Sequence, residues 1–370
     1  MIPVCEPTLT GKELEYVTEC LTTNWISSRG RFLEEFQDQF AEYCSCKYGI
    51  ATTNGTTALH LALAALEIGE GDEVIVPAFT MAACIDAIMY TGAKPVLVDA
   101  TVDTWSMDVS KVEEKISSKT KAIMAVHIYG HPCDMDHLAQ LAKRYNIAIL
   151  EDAAEAHGAE YKGQKIGSIG DISAFSFYAN KIITTGEGGM VVTNNEELAD
   201  RARRLADLAH SPDQRFVHTE VGFNYRMTNM QAALGVAQMT AIDEFVEARR
   251  THAHSYNQQL QEVPGLTFPV EKSWAKNVYW MYGILVDEAV FGISRDELMA
   301  SLREKGIETR AFFYPMHQQP GFQDQGLFHQ EEYPVAEKLG MTGLYLPSSS
   351  GLTESQIAEV CAAVVDIAEQ

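Results

Sequence analysis

Residues 11–22 open with acidic side chains and set Leu14, Val17 and Leu21 at helical spacing, which predicts an amphipathic helix. A turn at Trp25-Ile26-Ser27-Ser28-Arg29-Gly30 leads into a second helix over residues 32–43. From Tyr48 the texture changes. Strand-like runs at 49–53, 73–76, 95–98, 122–126 and 148–150 alternate with helical patterns at 58–66, 83–90 and 135–144. Such alternation predicts an α/β fold with a mostly parallel sheet covered on both faces, and ligands in these sheets gather at the carboxyl ends of the strands. Beyond residue 240 the pattern shifts to a long charged helix over 242–263, then Pro264-Gly265, strand-like runs at 278–286 and 306–313, and helices at 294–304 and 354–368. The expectation is a large domain over residues 1–240 and a smaller C-terminal α+β domain over 241–370.

Composition narrows the partners. A chain of 370 residues exceeds the size at which one core stops growing, so two domains are expected and no disulfide or metal staple is needed. The formal net charge of −23 repels polyphosphate backbones and anionic membranes, which argues against nucleic acid and membrane as partners. Seven scattered cysteines read as reduced thiols, and Cys44 and Cys46 have no second Cys or His pair nearby, so no metal site is expected. Residues 1–10 lack the basic segment and apolar run of a secretion signal, and the most apolar stretch, 74–89, is broken by Pro77 and Asp86. The cytoplasm is the expected compartment.

Three segments carry candidate chemistry. Thr53-Asn54-Gly55-Thr56-Thr57 ends a strand and opens a helix, where free N–H groups and the positive dipole end suit a phosphate; a simple N-cap is the plainer alternative. His60, on that helix, reads as packing. Glu151-Asp152-Ala153-Ala154-Glu155 follows the run at 148–150, and Asp152 is placed to pair with a protonated ring nitrogen, unless it caps the next helix. Lys181 lies between the aromatic run Phe175-Ser176-Phe177-Tyr178 and the turn Gly186-Glu187-Gly188-Gly189. A desolvated lysine there has a lowered pKa and can attack an aldehyde. A phosphate cradle, a strand-end Asp, a Ser and a Lys in this order supply the groups that a pyridoxal phosphate needs.

With Gly222-Phe223-Asn224-Tyr225-Arg226-Met227-Thr228-Asn229 added, the chain closely resembles the DegT/DnrJ/EryC1/StrS sugar aminotransferases, from Trp25 to Pro347. The resemblance implies the aspartate aminotransferase-like fold type I and pyridoxal 5'-phosphate as cofactor. It implies that Lys181 forms the internal aldimine, Asp152 meets the pyridine nitrogen, and Ser176 with Gly55, Thr56 and Thr57 binds the phosphate. Met81 and Glu155 fall among the cofactor contacts. Asn224 reaches the phosphate in the other subunit of a homodimer with shared sites. Val126–Gly130, Cys133-Asp134-Met135 and Tyr314-Pro315-Met316-His317 are similar to a subgroup that aminates C4 of GDP-4-keto-6-deoxymannose. L-glutamate is the donor there, 2-oxoglutarate leaves, pyridoxamine phosphate links the two half-reactions, and the product is a deoxyamino sugar of lipopolysaccharide O-antigen. Trp25, His127, Tyr129, Arg226, Arg310 and His317 are the expected contacts to the nucleotide-linked keto sugar. For His127, Tyr129, Arg310 and His317 a structural role is the alternative.

Two departures bear on the sugar. Met81 stands where relatives carry a ring-stacking aromatic, and residues 205–218 replace a Gly-Gln-Gly type loop. They leave open a UDP- or dTDP-linked 4-keto-6-deoxyhexose or an 8-oxo-octulosonate as acceptor. A sugar 3-dehydratase of the same fold carries His in place of the lysine, so Lys181 argues against it. Intact Asp152, Ser176, Lys181 and Asn224 argue against a non-catalytic regulator.

Overall fold

The computed structural model describes residues 1–369 apart from Pro212 and Arg215, so part of the divergent 205–218 segment lies outside the described residues. Strands β1 (Tyr48–Thr52), β2 (Glu73–Pro77), β3 (Lys94–Val98), β4 (Thr120–Val126) and β5 (Ala148–Asp152) alternate with helices, as the periodicity predicts. Two short strands, β6 (Glu160–Tyr161) and β7 (Gln164–Lys165), precede β8 (Ile172–Ser176) and β9 (Gly189–Thr193). The main sheet has seven strands in the order β1-β9-β8-β5-β4-β2-β3. Only β9 runs against the others, because it pairs antiparallel with both β8 and β1. The carboxyl ends of β1, β4, β5 and β8 therefore share one edge. Strands buried on both faces need unbroken apolar runs, and Val74-Ile75-Val76 and Ala122–Val126 supply them.

Helices α1 (Lys12–Thr23), α2 (Arg31–Tyr43), α3 (Gly55–Ala65) and α4 (Ala82–Tyr90) open the chain's helical layers. Along α2, Phe32, Phe36 and Phe40 repeat every four residues and are all buried. Phe40 meets Phe175 and Phe177 edge-on, with centroids 4.8 and 5.0 Å apart, so it packs beneath the Lys181 segment. Helix α1 forms where the spacing predicts it, with its leucines outward: Leu14 and Leu21 are 78% and 55% exposed, while Glu13 and Cys20 are buried. Glu13 closes its own helix start, accepting from the Thr10 and Gly11 N–H groups at 2.9 and 2.8 Å and from Gln238 Nε2 at 2.6 Å. Those bonds offset the cost of burying a carboxylate, and they turn the leucine stripe outward.

In the C-terminal part, β10 (Leu266–Thr267), β12 (Tyr282–Val286), β14 (Gly343–Leu346) and β13 (Arg310–Ala311) form an antiparallel sheet in that order, while β11 (Ala275–Lys276) joins β6 and β7. Its core gathers Tyr256, Tyr282, Ile284, Leu298, Leu344, Val360 and Val364. Ile2 joins this second core, and its N–H donates to Gly306 O at 2.8 Å. The run at 278–286 is a strand only from Tyr282, because the Val278 and Trp280 N–H groups donate instead to Gly130 O and Tyr129 O, at 3.3 and 2.9 Å. The run at 306–313 contributes only Arg310–Ala311 to the sheet. The long helix spans Ile242–Leu260, three residues short of expectation.

Candidate active site

Four carboxyl strand ends and the start of α3 meet at one edge. Asn54 caps α3: its Oδ1 accepts from Thr57 N at 2.9 Å, and the Thr57 hydroxyl donates to Asn54 O at 2.8 Å. The expected phosphate role of Thr57 is thereby corrected, since its N–H and hydroxyl are spent on the cap. The N–H groups of Gly55 and Thr56, in the first turn, have no intrahelical acceptor and remain for an anion. Gly55 is required by close approach: a Cβ there would lie 2.7 Å from Ser176 Cβ and 3.0 Å from its Oγ. That contact sets the Ser176 hydroxyl beside the helix start, a group of polar donors that suits a phosphate. The plainer packing expectation for His60 fits its buried ring, whose Nδ1 lies 2.9 Å from the Tyr225 hydroxyl.

Asp152 ends β5. Its Oδ1 accepts from Ala154 N at 3.0 Å and its Oδ2 from Cys84 Sγ at 3.0 Å. Cys84 is fully buried on α4, and burial followed by the nearby Asp152 charge raises its pKa well above the usual thiol value, so it stays a neutral donor. Thr80 Oγ1 lies 3.0 Å from the same sulfur. Met81, at the α4 cap, is half exposed and its Sδ accepts from Ala83 N at 3.1 Å.

The Lys181 side chain is 11% exposed, and its Nζ lies 3.8 Å from Glu155 Oε1 and 3.8 Å from the centroid of the Trp280 ring. Burial lowers its pKa, and Glu155 and Asp152 oppose that fall. Glu155 is held above the usual carboxylate range by its own burial, while Lys181 and a 2.7 Å bond from Tyr129 N pull it back. A lysine, a strand-end carboxylate and a cluster of N–H and hydroxyl donors on one edge fit a pyridoxal phosphate through its aldehyde, ring nitrogen and phosphate.

The expected sugar contacts divide between the interior and the surface. His127 is fully buried, with Nε2 3.1 Å from Glu151 Oε2 and Nδ1 accepting from Cys133 N, so it braces the strand ends and cannot reach a sugar. Glu151 in turn accepts from Gly167 N, Ile169 N, Gly170 N and Ser173 Oγ and fastens the 167–170 loop. His317 is buried against Tyr333 with Nε2 on Glu337 Oε1 at 3.0 Å. Tyr129 is buried among Phe79, Phe312 and Tyr345 and acts through its backbone. Arg310 is exposed on β13, opposite Tyr345 in register, and Trp25 is 56% exposed. Arg226 pairs with Asp207 and donates to Asn224 Oδ1 at 3.0 Å, and Asn224 is exposed. Sequence reasoning did not find Cys84 or Trp280: each lies far along the chain from its partner, Cys84 on α4 and Trp280 on the segment before β12, in apolar runs whose pattern reports only burial.

The profile of the DegT/DnrJ/EryC1/StrS aminotransferase family matches residues 7–365. The GDP-perosamine synthase of Escherichia coli O157:H7 is 46% identical over 363 residues, covering 98% of this chain and 97% of that protein. The GDP-perosamine synthase of Caulobacter vibrioides is 47% identical over 364 residues, again 98% and 97%. Among solved structures, S. venezuelae DesV in complex with a ketimine intermediate superposes with a TM-score of 0.91 at 36% identity, covering 97% of this chain and 94% of that one.

Proposed function

This chain belongs to the DegT/DnrJ/EryC1/StrS aminotransferase family, and from that premise we propose that it moves the amino group of L-glutamate to C4 of GDP-4-keto-6-deoxymannose. It is an enzyme, a pyridoxal-phosphate-dependent sugar aminotransferase of α/β fold. The observation that carries the chemistry is Lys181, nearly buried, with its pKa lowered and a carboxylate beside it. The choice of sugar is supported by the likeness to two GDP-perosamine synthases over 98% of the chain.

Bound pyridoxal phosphate supplies an aldehyde that accepts amines and a ring that draws electrons from the carbon losing its proton. Gly55 N, Thr56 N and the Ser176 hydroxyl hold the phosphate in this proposal. Asp152, kept in place by Cys84 and Ala154, faces the ring nitrogen. Lys181 Nζ takes the proton from the α-carbon of glutamate and, in the return half, delivers one to C4 of the sugar; a lowered pKa leaves the amine able to accept it. Glu155 offsets the lysine's charge when the amine is protonated. Trp25, Arg226 and Arg310 remain the candidates for the nucleotide sugar, and Met81 borders the ring site.

The proposal extends to a homodimer in which Asn224 completes the partner's phosphate site. Its support is the exposed Asn224 and an uncovered apolar face with Leu14, Leu21, Trp25 and Ile26. A division into residues 1–240 and 241–370 draws support from a second core built mostly of residues beyond 250, although Phe245, Phe312 and Tyr345 pack into the main core and Ile2 into the second. A reducing cytoplasm suits seven unpaired thiols. No helix is long and apolar enough to cross a membrane among the described residues.

The test is a panel of nucleotide keto sugars with glutamate as donor, read by the ketone-to-amine mass shift and by 2-oxoglutarate release. Amination of GDP-4-keto-6-deoxymannose ahead of UDP- and dTDP-linked 4-keto-6-deoxyhexoses and of 8-oxo-octulosonate is expected. Silence with the GDP sugar beside turnover of another refutes the substrate. A bound chromophore that borohydride fails to attach to Lys181 refutes the chemistry.

A further inference from the structure

Four contacts converge on Trp280, which the roles above do not use. Its indole face lies 3.8 Å from Lys181 Nζ. Its Nε1–H donates to Asn180 O at 2.8 Å, gripping the backbone one residue before the lysine. Its own N–H donates to Tyr129 O at 2.9 Å, while Tyr129 N donates to Glu155 Oε2 at 2.7 Å. Tyr129 makes both bonds from a left-handed backbone, φ 54°, a conformation a tyrosine keeps only where its surroundings impose it. Gly130 follows at φ 100°, and a Cβ there would sit 2.7 Å from Val278 Cγ2, so the 129–130 turn is pressed against the segment that carries Trp280. Arg249 Nη1 holds the Trp280 carbonyl from the long helix. The ring is thus fixed from three sides, and it belongs to the C-terminal part of the chain whereas the lysine belongs to the main sheet.

We propose that Trp280 is a positioning residue that receives the Lys181 ammonium on its indole face whenever the amine is released from the cofactor, while its N–H fixes the backbone from which the lysine swings. This rests on Lys181 being the cofactor amine. A lysine that must leave and return to one atom loses rate if its chain explores other rotamers, and a buried ammonium needs a partner that does not quench its basicity for good. A carboxylate alone would hold the proton too firmly. An aromatic face favours the cation by a smaller amount, without a competing proton acceptor. The other groups that act on the amine are Glu155 at 3.8 Å, then Asp152, Cys5 and Cys84, while His157 is pushed towards its neutral form by burial and by the lysine's charge.

Lys181 labelling in the cofactor-free, full-length protein tests this without turnover. The rate of acetic anhydride reaction at Lys181, followed against pH by peptide mass spectrometry, reports the amine pKa. Of the four tryptophans, only Trp280 carries a cation over its ring among the described residues. Uniform replacement by mono-, di- and trifluorotryptophan therefore weakens this one contact with little change of shape. A stepwise fall of the Lys181 pKa, roughly one unit in all, is expected, and Trp280→Leu should fall by about as much. Trp280→Phe keeps a ring and loses the N–H, so its pKa shift should be less than half that of Trp280→Leu while cofactor recapture slows several-fold. A pKa that ignores fluorination, or equal shifts for the Phe and Leu variants, overturns the proposal. Failure of borohydride to attach the cofactor at Lys181 in the unaltered enzyme sinks the proposed function and, with it, the release-and-return role, a result distinct from the pKa series, which decides whether Trp280 holds the ammonium.

Discussion

Replacing Gly55 with alanine tests whether the α3 start and Ser176 form one phosphate cradle. The new Cβ would stand 2.7 Å from Ser176 Cβ and 3.0 Å from its Oγ. Ser176 is buried at the end of a central strand and cannot rotate away freely. Crowding of this kind costs about 1–3 kcal/mol, and the lower backbone entropy of alanine in the unfolded chain returns about 0.4–1 kcal/mol. The cofactor-free protein should therefore be destabilised by no more than about 2.6 kcal/mol. Pyridoxal phosphate binding should suffer more selectively, because pushing the Ser176 hydroxyl aside loses one hydrogen bond to a charged group, about 1.5–3 kcal/mol. That is about a 10- to 100-fold rise in Kd. Urea unfolding of the cofactor-free protein and equilibrium dialysis of the cofactor separate the two effects. Ser176→Ala, which removes the same hydroxyl without crowding, should weaken binding by a similar factor, and the double variant should fall well short of the sum. If Gly55→Ala binds the cofactor within two-fold of the parent, or if the two losses add fully, the cradle reasoning is wrong.

Glu13→Gln should destabilise the fold by roughly 1.5–3 kcal/mol at neutral pH, since the carboxylate accepts from Thr10, Gly11 and Gln238. Burial pushes the Glu13 pKa up, but those bonds outweigh it and leave it lowered, so its contribution is present above the unfolded value near 4.5 and is lost as pH falls through the folded one. Denaturant unfolding of the two proteins should converge in acid, and a gap that persists below that range counts against the assignment. Cys84→Ala should lower kcat/KM about 3- to 10-fold by removing one donor to Asp152, and Cys84→Ser should restore most of it; equal activity of all three would show the thiol to be idle. Leu14→Asp with Leu21→Asp should leave the monomer's fold unchanged, because both side chains are largely exposed, yet shift sedimentation towards monomer and loosen the cofactor. A pair of variants that stays dimeric places the subunit interface elsewhere.

Much of this protein was legible along the chain because the signals are local. The strand end and helix start at Thr52 to Gly55 and the strand end at Asp152 mark the sheet edge where ligands gather, and alternating periods mark the strands that build it. The order of cradle, Asp, Ser and Lys is readable in sequence since Asp152 and Ser176 end their strands, the cradle opens α3, and Lys181 follows on the connection from β8 to β9. The Asn54 cap shows the limit: the segment reads as an anion site, but only coordinates reveal that Thr57 is spent within it.

Amino-acid order by itself determined the α/β class, the cofactor-competent segments and the lysine, because helix starts, strand ends and apolar periods are properties of neighbouring residues. Tertiary structure decided which face of α1 turns outward, that His127 and His317 are interior braces, and that Cys84 and Trp280 attend Asp152 and Lys181. Those contacts join residues 68 positions apart in one case and 100 in another, counted from Cys84 to Asp152 and from Asn180 to Trp280. At such separations no local preference encodes a meeting, and only burial of two elements against a shared core brings the side chains together.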